Sequence, residues 1–233
     1  WGRYTFLGSD AHMIFKVKGE DILIQENGEI HGYKHEGDPM RFLKGLLQVY
    51  RPVPVDGLPR FYGGAVGFLS YDMVRYFEKL PDRTKEDLKT DDAIFLITDT
   101  LMVFDNVRHT IKAVTCAVTE GRKDLRTVYD EAIKKIDKMI EILRAPVEKA
   151  EIRREAGEDG PPQSNMPPEH FKAMVRRAKD YIVSGDVIQV VISQRFRREN
   201  RLDPIDLYRA LRYINPSPYL FFLKLHDLIL IGS

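Results

Sequence analysis

From Val187 onward an extended backbone would turn Gln189, Ser193 and Arg195 to one side and Ile188, Val190, Ile192 and Phe196 to the other. An amide, a hydroxyl and a guanidinium on one face can hydrogen-bond a small polar ligand. The same face, interrupted by Val191, also suits a strand that meets water, the ordinary case for half-buried antiparallel strands. A second candidate is Asn215-Pro216-Ser217-Pro218-Tyr219. Two prolines stiffen a loop that carries an aromatic ring, so a planar ligand could stack there at little entropic cost, although prolines after a helix are more often only a stop signal. Ser217 can close this loop with its hydroxyl or sit as a solvated turn serine. Arg195, Arg197, Arg198 and Arg201 could hold an anion, but Glu199 and Asp203 among them favour a solvated turn.

Other chemistries find no support in residue spacing. The six histidines are scattered, with no pair at helical ligand spacing beside a carboxylate, and no Gly-x-Ser-x-Gly elbow occurs. The glycine-rich run Phe61 to Asp72 lacks both the Gly-Lys-Ser/Thr ending of a phosphate loop and the glycine order of a dinucleotide turn. Its glycines read instead as points where another backbone or a ligand approaches a strand closely, or as a bulge. With 36 basic and 35 acidic side chains the net charge is +1, which offers no electrostatic footprint for nucleic acid or an anionic membrane and points to a small substrate. Cys116 is the sole cysteine, so no intramolecular disulfide can form, and a reducing cytoplasm fits. No apolar run is long enough to span a bilayer. The chain starts at Trp1 without an initiator methionine and stops at Gly232-Ser233 beside an apolar run, as a piece of a longer protein would.

The elements that must position these residues are legible from periodicity. Tyr4 to Lys18 and Asp21 to Gln25 read as strands, the latter entering a turn at Asn27-Gly28. Pro39 opens a helix with Met40, Leu43, Leu46, Leu47 and Tyr50 on one stripe. Tyr71 to Phe77 leads into a short helix or turn ending near Pro81. Ala93 to Phe104 and Thr110 to Val118 read as an antiparallel pair joined at Asp105-Asn106, and Lys123 to Leu143 as a long helix. Residues 146–168 carry no apolar period and read as a linker between residues 1–145 and 169–233. A helix after Pro168 has Phe171, Met174, Val175, Ala178, Tyr181 and Ile182 as its expected buried stripe, with Gly185 placed to end it. Asp203-Pro204 starts a last helix, and Tyr219 to Leu225 with Leu228 to Ile231 form a hairpin about His226-Asp227.

Four segments in order carry a resemblance: Gly2-Arg3-Tyr4-Thr5-Phe6-Leu7-Gly8; Gly63 to Gly67 with Ser70 to Arg75; Gly185 to Phe196; and Asn215 to Tyr219. Together they resemble the anthranilate synthase component I family over nearly the whole chain. The resemblance implies an α+β fold of antiparallel sheets packed together with peripheral helices, of the chorismate-binding type and incomplete here. Residues 1–145 would be the N-terminal region and 169–233 the beginning of the chorismate-binding domain. It implies a lyase that makes anthranilate and pyruvate from chorismate in tryptophan biosynthesis. Ammonia would come from a glutamine amidotransferase subunit, and Mg²⁺ would be held by residues downstream of Ser233. The 233-residue chain, lacking most of the active centre, is expected to be inactive.

Residue by residue, Gln189 matches the place where water-adding relatives carry a lysine base. An amide has no titratable proton near neutral pH, which fits an enzyme whose nucleophile is ammonia. Ser193 becomes part of the substrate-pocket wall. Pro218, Tyr219 and Leu220 match the loop that contacts the feedback inhibitor tryptophan, with Leu220 standing where many relatives have methionine. The alternatives are a 4-amino-4-deoxychorismate synthase large subunit and a non-catalytic module that binds tryptophan or docks a partner.

Overall fold

The computed structural model describes residues 2–9, 11–82, 86–122, 124–146, 160–200 and 202–233. In chain order the strands and helices begin β1 (Tyr4–Leu7), β2 (Met13–Lys18), β3 (Asp21–Glu26), β4 (Glu29–Lys34), α1 (Pro39–Gln48) and β5 (Gly64–Leu69). A 3-10 turn (Tyr71–Tyr76) precedes β6 (Ala93–Thr98), β7 (Thr100–Asp105), β8 (Thr110–Thr115) and α2 (Leu125–Arg144). There follow β9 (Gln163–Ser164), α3 (Pro168–Val183), β10 (Phe196–Arg197), α4 (Pro204–Ile214), β11 (Phe221–Leu225) and β12 (Leu228–Gly232). The chain divides into two units, Trp1–Glu148 with Tyr208–Ser233, and Lys149–Leu207.

The first unit is built on a five-stranded antiparallel sheet of order β4-β3-β2-β6-β5. Alternation decides which face is core: Met13, Phe15 and Val17 of β2 and Ile22 and Ile24 of β3 are buried, while Leu23 between the latter two is exposed. Burying each such side chain contributes roughly 1.5–3 kcal/mol. Helix α1 covers that face, placing Leu43 in the core and Met40, Phe42, Leu46 and Leu47 against it. Its start is fixed locally, with the Asp38 carboxylate accepting from the Met40 amide at 2.9 Å and proline in the first turn. The β3–β4 turn has Asn27 and Gly28 both at positive φ, 51° and 84°, as a tight hairpin requires.

Ala93 to Phe104 is not one strand but two, β6 in the five-stranded sheet and β7 in a second antiparallel sheet of order β1-β7-β8. The break is Asp99, a poor strand former whose carboxylate accepts from the Thr100 hydroxyl at 2.7 Å and from Lys135 of α2 at 2.7 Å. Leu101, Val103 and Val114 form the second core, with Tyr4, Leu58, Phe61 and Tyr62 packed on it. With two antiparallel sheets, a hairpin and flanking helices, the unit is α+β as expected. The expected C-terminal hairpin is present as β11–β12, turning at His226 with φ 62°.

The second unit departs further from expectation. Of the linker expected at 146–168, residues 147–159 lie outside the described residues, and Gln163–Ser164 of its remainder pairs with Phe196–Arg197. Helix α3 forms, and Gly185 follows its end at φ 82° as a left-handed stop should. Its expected stripe is not buried. Phe171, Met174, Val175 and Ala178 are half-covered, and Tyr181 and Ile182 are exposed, because the short β9–β10 pair offers too little surface to cover them.

The strand expected from Val187 is likewise absent. Residues 187–195 are irregular, and only Phe196–Arg197 enters a ladder. Ile188, assigned to a core face, is 97% exposed. A strand exists only through its neighbours' hydrogen bonds, and no described strand lies beside these residues to supply them.

Candidate functional site

The loop after α4 is held by its own polar groups. The Asn215 amide donates to the Leu211 carbonyl and the Ser217 amide to the Asn215 carbonyl, both at 2.8 Å. The Ser217 hydroxyl accepts from the Tyr219 amide at 3.1 Å, so this serine closes the turn rather than merely facing water. The Asn215 side chain donates to the Ser233 hydroxyl at 2.9 Å, tying the loop to the end of β12. The result is a fixed Pro218-Tyr219-Leu220 turn with Leu220 half-buried and Tyr219 81% exposed. An aromatic ring presented on a fixed backbone can stack on a planar ligand without first paying to be ordered.

Gln189 and Ser193 lie in the other unit, both exposed, between Gly185 and β10. The far end of their segment is anchored. Arg195 donates its amide to the Asn165 side-chain carbonyl at 3.1 Å, accepts from the Asn165 amide at 3.0 Å, and Gln194 donates to the Ser164 hydroxyl at 2.8 Å. Of the basic cluster considered as an anion site, Arg201 lies outside the described residues.

Three polar groupings in the first unit escaped sequence reasoning. Asp105, 2% exposed, accepts a forked pair from Arg3 at 3.3 and 3.1 Å and the amides of Val107 and Arg108 at 3.1 Å each. Arg3 first, and then those amides, hold its carboxyl down from the usual 3.8 to about 2. The Tyr76 hydroxyl donates toward the Gly19 carbonyl and the Asp92 carboxylate, each at 2.9 Å, and burial followed by Asp92 raises its pKa. His12 meets the Tyr50 hydroxyl at 3.1 Å near Asp99. Arg3 and Asp105 stand at the ends of segments singled out for other reasons, so their pairing had no local signal.

A groove of about 350 Å³ on α1 is lined by Met40, Leu43, Lys44, Leu47 and Gln48, and contains none of the expected site residues. Among the described residues no group of three or more His, Cys, Asp or Glu side chains is arranged to hold a metal ion, so these residues do not fit the Mg²⁺ that the resemblance implies. No described helix is long and apolar enough to cross a membrane.

Residues 6–233 match the chorismate binding enzyme family. The chain belongs to that family. Among its relatives in the family, anthranilate synthase component 1 of Aquifex aeolicus is 32% identical over 238 residues, covering all of this chain and 47% of that protein. Its counterpart in Pseudomonas aeruginosa is 34% identical over 238 residues, covering all of this chain and 48% of its own length. A probable anthranilate synthase component 1 of Schizosaccharomyces pombe is 33% identical over 232 residues, covering 99% of this chain and 44% of that protein. The crystal structure of anthranilate synthase component I from Streptococcus pneumoniae superposes with a TM-score of 0.76 at 28% identity, over 99% of this chain and 50% of that one. The chain thus spans about half the length of the curated relatives it matches. Its fold is an incomplete chorismate-binding fold of the anthranilate synthase component I kind.

Proposed function

We propose that the full-length gene product is the large subunit of anthranilate synthase, converting chorismate and ammonia to anthranilate and pyruvate. The carrying observation is the identity of 32–34%, over 99–100% of this chain, to anthranilate synthase component 1 of two bacteria and a probable one of a yeast. Gln189 lies in the chorismate-binding part, where its amide withholds a base from water and leaves ammonia as the nucleophile, and Ser193 forms part of the pocket wall. Pro218, Tyr219 and Leu220 bind tryptophan as feedback inhibitor, and the exposed, braced Tyr219 suits an indole ring. A glutamine amidotransferase subunit supplies the ammonia, and Mg²⁺ is held by residues outside 1–233. Residues 1–145 form the N-terminal region, 146–168 the linker and 169–233 the start of the catalytic domain. The free Cys116 suits a cytoplasmic setting.

The test supplies chorismate, Mg²⁺ and ammonium to the full-length product and to the 233-residue chain. Anthranilate fluorescence from the former alone is expected. Accumulation of 4-amino-4-deoxychorismate instead would place the protein in that branch of the family, and anthranilate from the 233-residue chain would overturn the assignment of the catalytic residues to positions outside it.

A further inference from the structure

The turn between β7 and β8 reaches the Pro218 loop through the first residues of the chain. The Asn106 amide donates to the Arg3 carbonyl at 2.8 Å, while its side-chain nitrogen donates to the Gly2 carbonyl at 3.0 Å and the Thr5 hydroxyl at 3.3 Å. Arg3 is held besides by its forked pair with the buried Asp105, and β1 is in register with β7 with Tyr4 opposite Asp105. Gly2 is therefore held through its carbonyl by Asn106 and through its neighbour Arg3. A Cβ there would lie 3.5 Å from the Pro218 oxygen and 3.7 Å from the Pro218 Cβ, so the Gly2 backbone stands directly against the loop. With Ser233 holding Asn215 and Ser217 closing onto Tyr219, the loop is braced from both ends.

We propose that Asn106, acting through Gly2, is a positioning residue for the ligand-binding loop at Pro218 to Leu220, setting the height at which the Tyr219 ring is offered to a planar ligand. The proposal rests on the reading of that loop as the tryptophan site. Asn106 touches no ligand; it fixes the backbone that backs Pro218. Removing its side-chain donor frees Gly2, and a branched side chain at Gly2 displaces the loop from the same side. Both changes loosen an inhibitor site while leaving the chemistry alone.

The experiment uses the full-length gene product and its Asn106→Ala, Gly2→Val and Tyr219→Ala variants. It reads tryptophan Kd by calorimetry, kcat for ammonia-dependent anthranilate formation, and Tm. Asn106→Ala and Gly2→Val should each weaken tryptophan roughly tenfold, with kcat within about twofold of the parent, which a general loss of structure would not produce. Parental tryptophan affinity in both variants overturns the positioning role. So does a rise in Kd accompanied by a parallel fall in kcat and Tm, since that marks a general structural part. Tyr219→Ala binding tryptophan as tightly as the parent sinks the loop reading itself, and is told apart because only that variant removes the stacking ring.

Discussion

Gly67 of β5 lies opposite Phe95 of β6, and replacing it with alanine puts the close-approach reading of the glycine-rich run to a quantitative test. A Cβ at Gly67 would sit 2.7 Å from the Phe95 Cα and 2.8 Å from the Ile94 carbonyl carbon, and closer still to the Ile94 oxygen. Ordinary contact begins near 3.4 Å, so the two backbones must part by at least about 0.7 Å. A ladder bond near 2.9 Å is then stretched to about 3.6 Å, where it no longer counts as one. Losing two such bonds costs about 1 kcal/mol each, and overpacking adds about 1–3 kcal/mol, for a total near 3–5 kcal/mol. At roughly 2–4 °C per kcal/mol for a chain of this size, Gly67→Ala should lower Tm by about 6–20 °C and shift the urea midpoint accordingly. Gly45, in the exposed interior of α1 with nothing within 4 Å of its Cβ position, is the control of opposite sign. Gly45→Ala should stabilise by about 0.5–1 kcal/mol. A Gly67→Ala chain melting within 3 °C of the parent would refute the steric argument.

Three further outcomes are expected. Because the folded Asp105 carboxyl is depressed to about 2 from an ordinary 3.8, its contribution is fully present above pH 4 and is lost as pH falls toward 2. Asp105→Asn should therefore be less stable at pH 6 and lose less on acidification, read as urea midpoints from pH 6 to 2; parallel profiles would remove the Arg3 pairing as the cause. Backbone amides of residues 187–194 should exchange within seconds in the 233-residue chain, lacking ladder partners, and be protected in the full-length product; slow exchange in the short chain would contradict the irregular conformation. In the full-length product, Gln189→Lys should bring some isochorismate into the product mixture, and its absence by chromatography would count against Gln189 as the residue that withholds a base.

What was legible in the sequence was what a few neighbouring residues decide among themselves. Asn27-Gly28 can hardly be anything but a tight turn, and Asp38-Pro39 and Asp203-Pro204 carry their caps within three residues, the latter through the Asp203 carboxylate accepting from the Ile205 amide at 2.7 Å. Gly185 ends α3 for the same local reason. What was not legible depends on partners far along the chain. The split of Ala93 to Phe104 turns on Asp99 being drawn to Lys135, 36 residues later, and alternation runs straight across it. Arg3 and Asp105 are 102 residues apart, and neither segment alone announces the other.

The two candidate segments differ in the same way. Pro216 to Leu220 is stiffened by its own prolines and by Ser217, so its shape is already present and its exposed ring is already on offer. The Gln189 face has no such autonomy. Alternation only sorts side chains if a sheet exists to define two sides, and here Val187 to Arg195 has the residues of a strand without a described strand beside it. An apolar side chain as open as Ile188 gains nothing from hydrophobic burial in this unit, so its presence opposite Gln189 makes physical sense only where a further sheet edge covers it. On the proposed reading, the polar side of the segment would become a pocket wall by the same event that buries its apolar side, whereas the loop at Pro218 to Leu220 needs no such event to exist.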